Sequence, residues 1–471
     1  MKRKNGWSPR PMSRLLIFAL SLFTLAGHAS AESKEKVLYS FQGGADGAAP
    51  VGGVVFGPDG SLYGATQFGG ADNCSPMAAC GTVCQLTPQK NGSWAETVLY
   101  VFRGKAFNDG EYPEGGLIAD SSGNLYGTTA YGGSGNCVLA GSAAGCGTVF
   151  ELSPPQQKGQ AWTETILYSF PTAKQGYVPA GDLVFDASGN LYGSTIFGGG
   201  KGTTCDPFYQ YCGAVFELIA PRTKNGKWTE RVLHSFAGVS TGQQSGDGAN
   251  PNGGLVLDGK GAVYGTTYYG GNNQKGTCEG GAWGTGCGIV FKLTPPSHEG
   301  GKWTEELVHQ FNGRDGSNSA AGVVFDAKGE LYGVTSAGGS QEGGTVFVLA
   351  PPKNGEDWTE TIIHTFVING SNGCCVAAGI LRDAQGDLYG AALSGDPYAG
   401  LLFELKPPAH GNLWPFSVLY NFTGPPDGAH PAASLVFDKA GNLYSTTQSG
   451  GTGTACNWDY GPCGTVFEAS P

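Results

Sequence analysis

Charge is scarce in this sequence, and so is anything that reads as a helix. Only 14% of the 471 residues are charged, with 7 histidines and 3 methionines. After the N-terminus no segment sustains an apolar period of 3.6 residues, which argues against a helical bundle or coiled coil. No later run approaches 18 apolar residues, so no stable membrane anchor is expected in the mature chain. Acidic residues outnumber basic ones 38 to 27, which disfavours a nucleic-acid partner. The calcium loop D-x-D-x-D-G and the zinc motif H-E-x-x-H are both missing. The sequence therefore predicts no metal and no cofactor.

What is abundant is glycine, with 82 residues, alongside 11% aromatics. Disordered chains lack aromatics, so this composition predicts short strands joined by tight turns. The N-terminus carries Lys2, Arg3, Lys4, Arg10 and Arg14, then the apolar run Leu15 to Gly27, then "ASA" at Ala29 to Ala31. That pattern predicts a signal peptide, residues 1–31, cleaved after Ala31. Cleavage leaves 22 basic against 38 acidic residues, a net of −16. The mature chain, 32–471, is expected in the periplasm or outside the cell, where most of its 13 cysteines should pair.

Self-similarity organises the rest. "SLYGAT" at Ser61 recurs as "NLYGTT" at Asn124, "NLYGST" at Asn190, "AVYGTT" at Ala262, "ELYGVT" at Glu330, "DLYGAA" at Asp387 and "NLYSTT" at Asn442. The period averages about 64 residues. Each unit offers four apolar runs, typified by "GDLVFD", "NLYGST", "GAVFEL" and "WTERVLHSF", the first two joined by a D-x-x-G hairpin turn. One four-stranded sheet cannot bury both faces, but seven arranged radially can. The expected fold is all-β, a seven-bladed β-propeller with four antiparallel strands per blade. The mature chain starts on a fourth-strand motif, "EKVLYSF", and ends after a third-strand motif, "GTVFEAS". The N-terminal strand is thus expected to complete the last blade and close the ring.

The columns G-N-L-Y-G-T-T-x-x-G-G and G-T-V-F-E-L, with W-T-E, resemble the GloVer tandem repeat of exported bacterial choice-of-anchor proteins. The resemblance spans the mature chain and implies export and a propeller-like array. It implies no activity and no catalytic residues. No sorting signal or anchor is expected after Phe467.

Two sets of loops should share one face. Lead-in loops of the form D-G-x-x-P-x-G-G carry Asp46, Asp109, Asp247, Asp315 and Asp427, with Gln175 and Asn372 in blades three and six. Asp there is expected to cap its own turn. The loops between strands two and three carry cysteine pairs in five blades: Cys74/Cys80, Cys137/Cys146, Cys205/Cys212, Cys278/Cys287 and Cys456/Cys463. These are expected to be local disulfides, each contributing about 2–3 kcal/mol on the loop-entropy account. The adjacent Cys374 and Cys375 are left to each other as a vicinal disulfide, a stiff knob at the mouth of the axis. Cys84 stands in a column of phenylalanines and is expected to be a buried small hydrophobe. His234, His309 and His364 stand in a column of tyrosines and are expected to be half-exposed strand residues.

The same face gathers aromatics: Phe68, Tyr131, Phe197 and Tyr269 before G-G, and Tyr209, Tyr211, Trp283, Trp458 and Tyr460 in the long loops. Rings on pinned loops suit stacking on sugars or docking of a partner. The leading expectation is a monomeric, non-enzymatic module binding carbohydrate, peptide or protein through this face. The alternative is an axial enzyme, a polysaccharide lyase, hydrolase or lactonase. Its candidate residues are the repeat-breaking charges Asp182, Arg382 and Asp396, as acid/base and anion clamp.

Overall fold

Each repeat becomes a blade because its apolar runs are rich in Val, Leu, Tyr, Phe and Thr and are punctuated by turns that only certain residues make. In the computed structural model, blade three runs Tyr177–Phe185, Leu191–Phe197, Ala214–Ile219 and Thr229–Ser235, antiparallel and in that order from the axis outward. Its first turn is fixed by Asp186, whose Oδ1 accepts the N–H groups of Ser188 at 2.8 Å and Asn190 at 2.9 Å. The carboxylate thus supplies acceptors that the backbone of the turn lacks. Asp120 and Asp438 do the same in blades two and seven.

The described residues are 34–70, 80–139, 142–157, 159–200, 212–223, 226–238, 246–271, 278, 286–298, 300–353, 356–368, 370, 372–395, 399–411, 413–454, 456 and 463–471. Within the unit Ser33–Pro471 they form seven such sheets, a seven-bladed β-propeller, as expected. In blade two the inner strand is broken into Gly110–Pro113 and Ile118–Ala119, both paired with Leu125–Gly132. No α-helix occurs among the described residues, and no helix is long and apolar enough to cross a membrane. The ring closes where the sequence placed the closure: Lys34–Ser40 pairs antiparallel with Thr465–Ser470 as the outer strand of blade seven.

The core is divided among the seams between blades, one apolar cluster to each. The repeated phenylalanines carry it. Phe102, which ends the outer strand of blade one, meets Phe150 of blade two edge-on at 5.1 Å. Phe170–Phe216, Phe236–Phe291, Phe311–Phe347, Phe366–Phe403 and Phe422–Phe467 repeat the contact at later seams. At the seam between blades seven and one, Phe41 packs in a cluster with Cys84, which is buried, unbonded and held protonated by that burial.

The same rings explain the glycine of L-Y-G. Gly127 lies opposite Phe150 across the strand pair. A Cβ on Gly127 would fall 2.7 Å from Phe150 Cζ and 3.0 Å from Leu117 Cδ2. Gly64 lies opposite Cys84 instead, and its Cβ would meet nothing nearer than 3.5 Å. Gly127→Ala is therefore expected to cost about 1–3 kcal/mol by overpacking, and Gly64→Ala close to nothing. Urea unfolding of the two variants checks this; equal costs would mean that the ring is not what excludes a side chain.

Candidate functional site

The inner strands crowd the axis. A Cβ on Gly52 would fall 2.0 Å from Gly116 N, one on Gly115 2.2 Å from Gly181 O, and one on Gly322 2.1 Å from Gly254 O. Only glycine permits such backbone approach between neighbouring blades, which accounts for the P-x-G-G column. The small residues leave a cavity of 470 Å³ on the axis, lined from all seven blades, among them by Gly52, Gly115, Gly181, Gly253, Ala321, Ala377 and Ala433. Ile196 and Gln448, at the ends of second strands, also line it. Those ends lead into the cysteine-bearing loops, so the cavity belongs to the loop face.

Among the described residues two acids, Asp182 and Glu114, line this wall. Asp182 is where the sequence suggested, and its Oδ1 accepts the Gly116 N–H at 2.6 Å. Burial raises its pKa above the ordinary carboxyl value, opposed by that hydrogen bond. Glu114 is the second, at the break in the inner strand of blade two. Gln67 Nε2 donates to its Oε1 at 2.8 Å. Burial pushes its pKa up to about 7, against the lowering effect of the Gln67 bond. Asn252 also lines the cavity, and its Oδ1 is buried without a protein donor. Sequence reasoning missed Glu114 and Asn252. The signal was present: both fill the x of P-x-G-G, a column held by Val51, Ala180 and Ala432 elsewhere.

Arg382 is not part of this site. It lies at the other end of the inner strand of blade six, beside the Asp383 turn, with its guanidinium 5.7 Å from the Tyr332 ring centroid. The cavity lining does not include it. An Asp182–Arg382 pairing of acid and anion clamp in this cavity does not form: Asp182 lies within its inner strand and lines the cavity, whereas Arg382 stands three positions further along the equivalent strand, beyond the lining. Asp396 lies outside the described residues.

The loop face is built as follows. Cys137–Cys146, Cys278–Cys287 and Cys456–Cys463 are disulfides. Cys80 and Cys212 are also disulfide-bonded; Cys74 and Cys205 lie outside the described residues. Cys374 and Cys375 do not form the expected bond. They are free thiols with Sγ atoms 2.6 Å apart, and Ser394 Oγ is 3.1 Å from Cys374 Sγ. Adjacent Cα atoms, about 3.8 Å apart, fall short of the usual disulfide span. The Cys374 N–H is bonded to Ser394 O at 2.8 Å and the Cys375 N–H to Gly343 O at 3.0 Å, which fixes the backbone on both sides. Burial and the neighbouring thiol push the Cys375 pKa up to about 11. Neither cysteine lines the axial cavity, whereas Ala377 does.

The aromatics before G-G are half-buried rather than freely displayed. Phe68 meets Tyr112 edge-on at 5.2 Å, and Tyr112 meets Tyr131 at 5.6 Å. Phe197 pairs with Tyr177 at 5.4 Å, and Tyr269 with Tyr268 at 4.7 Å. Tyr112 and Tyr177, on the inner strands of blades two and three, anchor a continuous aromatic cluster over blades one to three. Tyr209, Tyr211, Trp283, Trp458 and Tyr460 lie outside the described residues.

The family model described as the Gloeobacter/Verrucomicrobia repeat matches residues 276–467. No curated protein sequence matches the chain. Among solved structures, a PL25 ulvan lyase bound to a -[GlcA(1-4)Rha3S]- saccharide is similar with a TM-score of 0.51 and 10% identity, covering 92% of this chain and 97% of the lyase. A fungal alcohol oxidase of the AA5 family, in complex with copper, is similar with a TM-score of 0.50 and 16% identity, covering 93% of this chain and 77% of the oxidase. At these identities the likeness is one of fold.

Proposed function

We propose that this chain, a member of the Gloeobacter/Verrucomicrobia repeat family, is an exported, non-enzymatic module that binds an uncharged carbohydrate in its axial cavity. The observation that carries the reading is the lining: Glu114, Asp182 and the unpaired Asn252 Oδ1 set in a wall mostly of glycine, alanine and aliphatic side chains. Carboxyl and amide oxygens accept hydrogen bonds from sugar hydroxyls, and an unpaired buried acceptor gains most from a donor. Among the described residues no Lys or Arg lines the cavity, so none of them would offset the charge of an acidic saccharide. The disulfide-pinned loops would hold the rim at little entropic cost on binding.

A second reading has one observation in its favour. A carboxyl titrating near neutrality, as Glu114 does, is what general acid–base chemistry requires. Glycan-array binding of wild type and of Glu114→Gln/Asp182→Asn separates the two. Binding of a neutral glycan by wild type, weakened at least tenfold in the variant, is expected. No neutral-glycan binding by wild type sinks the first reading. Turnover of a saccharide or lactone that Glu114→Gln abolishes, with binding kept, establishes the second.

A further inference from the structure

We propose that the seams between blades three and four and between blades four and five each hold a divalent metal ion of the zinc class. Every seam repeats one constellation: a ring from the outer strand of one blade, a lead-in-loop residue, and a W-T-E residue from the next blade. At three seams these are Tyr39, Asp46 and Glu96; Tyr100, Asp109 and Glu164; and Tyr420, Asp427 and Glu35. There the phenol donates to the aspartate at 2.9, 2.8 and 3.0 Å. Tyr168, Gln175 and Glu230 occupy a fourth seam.

At two seams the ring is histidine, and the donor set becomes one imidazole and two carboxylates. His309 Nε2 lies 3.4 Å from Asp315 Oδ2 and 3.6 Å from Glu360 Oε1. His234 Nε2 lies 3.1 Å from Asp247 Oδ2, with a Glu305 oxygen within 4.8 Å of both. Zinc holds N and O ligands at about 2.0–2.2 Å in a tetrahedron, so ligand atoms around it stand roughly 3.3–3.6 Å apart. The His309 separations already match those edges. His309 Nε2 and Glu360 Oε1 are both buried without a hydrogen-bond partner, which an ion between them would correct. Asp315 is oriented from behind by Asn312, whose backbone N–H donates to Oδ1 at 2.9 Å and whose side-chain amide donates to Oδ2. Such outer contacts hold a ligand's direction before the ion arrives. His309 also lines a surface concavity of 410 Å³ with Glu306, Glu356 and Asp357, an acidic approach suited to a cation.

The sixth seam acts as an internal control. His364 occupies the same column, but Asn372 and Phe416 replace the two acids. Its ring stacks on Phe416 at 4.2 Å, and burial lowers its pKa to about 4. A histidine in this column is thus recruited to carboxylates only where both acids are present.

The test uses the full mature chain, stripped with EDTA and dialysed. Titration with Zn²⁺ by calorimetry, checked by elemental analysis, should give two ions per chain and a raised melting temperature. His309→Tyr and His234→Tyr restore what other seams carry and should fold. Each should remove one ion, and the double variant both. His309→Gln is a second variant in case tyrosine misfits. Cys374→Ser/Cys375→Ser should keep both ions. Failure of the stripped wild type to take up zinc, or undiminished uptake by the folded double variant, overturns the proposal, leaving histidine–carboxylate contacts at these seams. Loss of both ions in the cysteine variant overturns it equally.

Discussion

A chain beginning at Gly44, without the closing strand, is expected to lose cooperative melting and to aggregate. The strand Lys34–Ser40 supplies the outer edge of blade seven, paired from Lys34↔Ser470 to Ser40↔Thr465 with a register shift between Val37 and Tyr39. Removing it bares the backbone donors and acceptors of Thr465–Ser470, an open edge that templates intermolecular pairing. It also removes Leu38 and the fully buried Phe41 from the seam between blades seven and one. Truncating one such ring costs about 3–5 kcal/mol, against a usual total of about 5–15 kcal/mol. Phe41→Ala alone should therefore lower the melting temperature, and deletion should abolish the transition. Circular dichroism melts and size-exclusion chromatography read both. A truncated chain that stays monomeric and melts as wild type would show that the ring does not depend on this closure.

The second large effect is on pH dependence. Glu35, Glu96, Glu164 and Glu230 stand at the seams, each with one buried carboxyl oxygen that accepts no hydrogen bond. Burial pushes each pKa from 4.5 up to about 7; nearby Asp427, Asp46 and Asp109 add to the rise for Glu35, Glu96 and Glu164 respectively, while Tyr420, Arg103 and Tyr168 oppose it for Glu35, Glu164 and Glu230. The folded chain binds these protons more tightly than the unfolded one. Their contribution is fully present below pH 4.5 and is lost as pH rises through about 7. His364 works the other way: its pKa, lowered to about 4, removes stability as pH falls below 6.5. Four carboxyls outweigh it, so the melting temperature should be higher near pH 5.5 than at pH 8. Glu96→Gln/Glu164→Gln/Glu230→Gln should flatten the profile, since Gln copies the neutral acid. The gain at pH 8 should be on the order of 1 kcal/mol per site, allowing for partial solvent screening. A wild type more stable at pH 8 than at pH 5.5 would mean that these carboxyls are ionised in the fold.

Much of this architecture was legible in the chain because the repeat is local. The period, the four runs, the Asp turns and the offset at the two ends each depend on residues within one unit or on simple counting. The column of Cys84 among phenylalanines also read correctly, since its neighbour across the strands is set by register alone. The functional positions read less well. Asp182 was found because a charge breaks its column. Glu114 and Asn252 escaped because their column tolerates many residues in the sequence, and only the closed ring makes it face the axis. Arg382 broke a column equally well but sits at the far end of its strand.

The seam triads show the division most sharply. The tyrosine-to-histidine change, the lead-in Asp and the W-T-E glutamate were each visible as separate columns. Nothing in one repeat says that His309 of blade four meets Glu360 of blade five, because the contact is made between units. By itself the sequence determined the blade, the blade count and the closing strand, through periodicity and hydrogen-bonding register. The tertiary structure decided what the seams and axis contain. Burial, pKa and ligand geometry there arise only when neighbouring blades bring their columns within a few ångströms of one another.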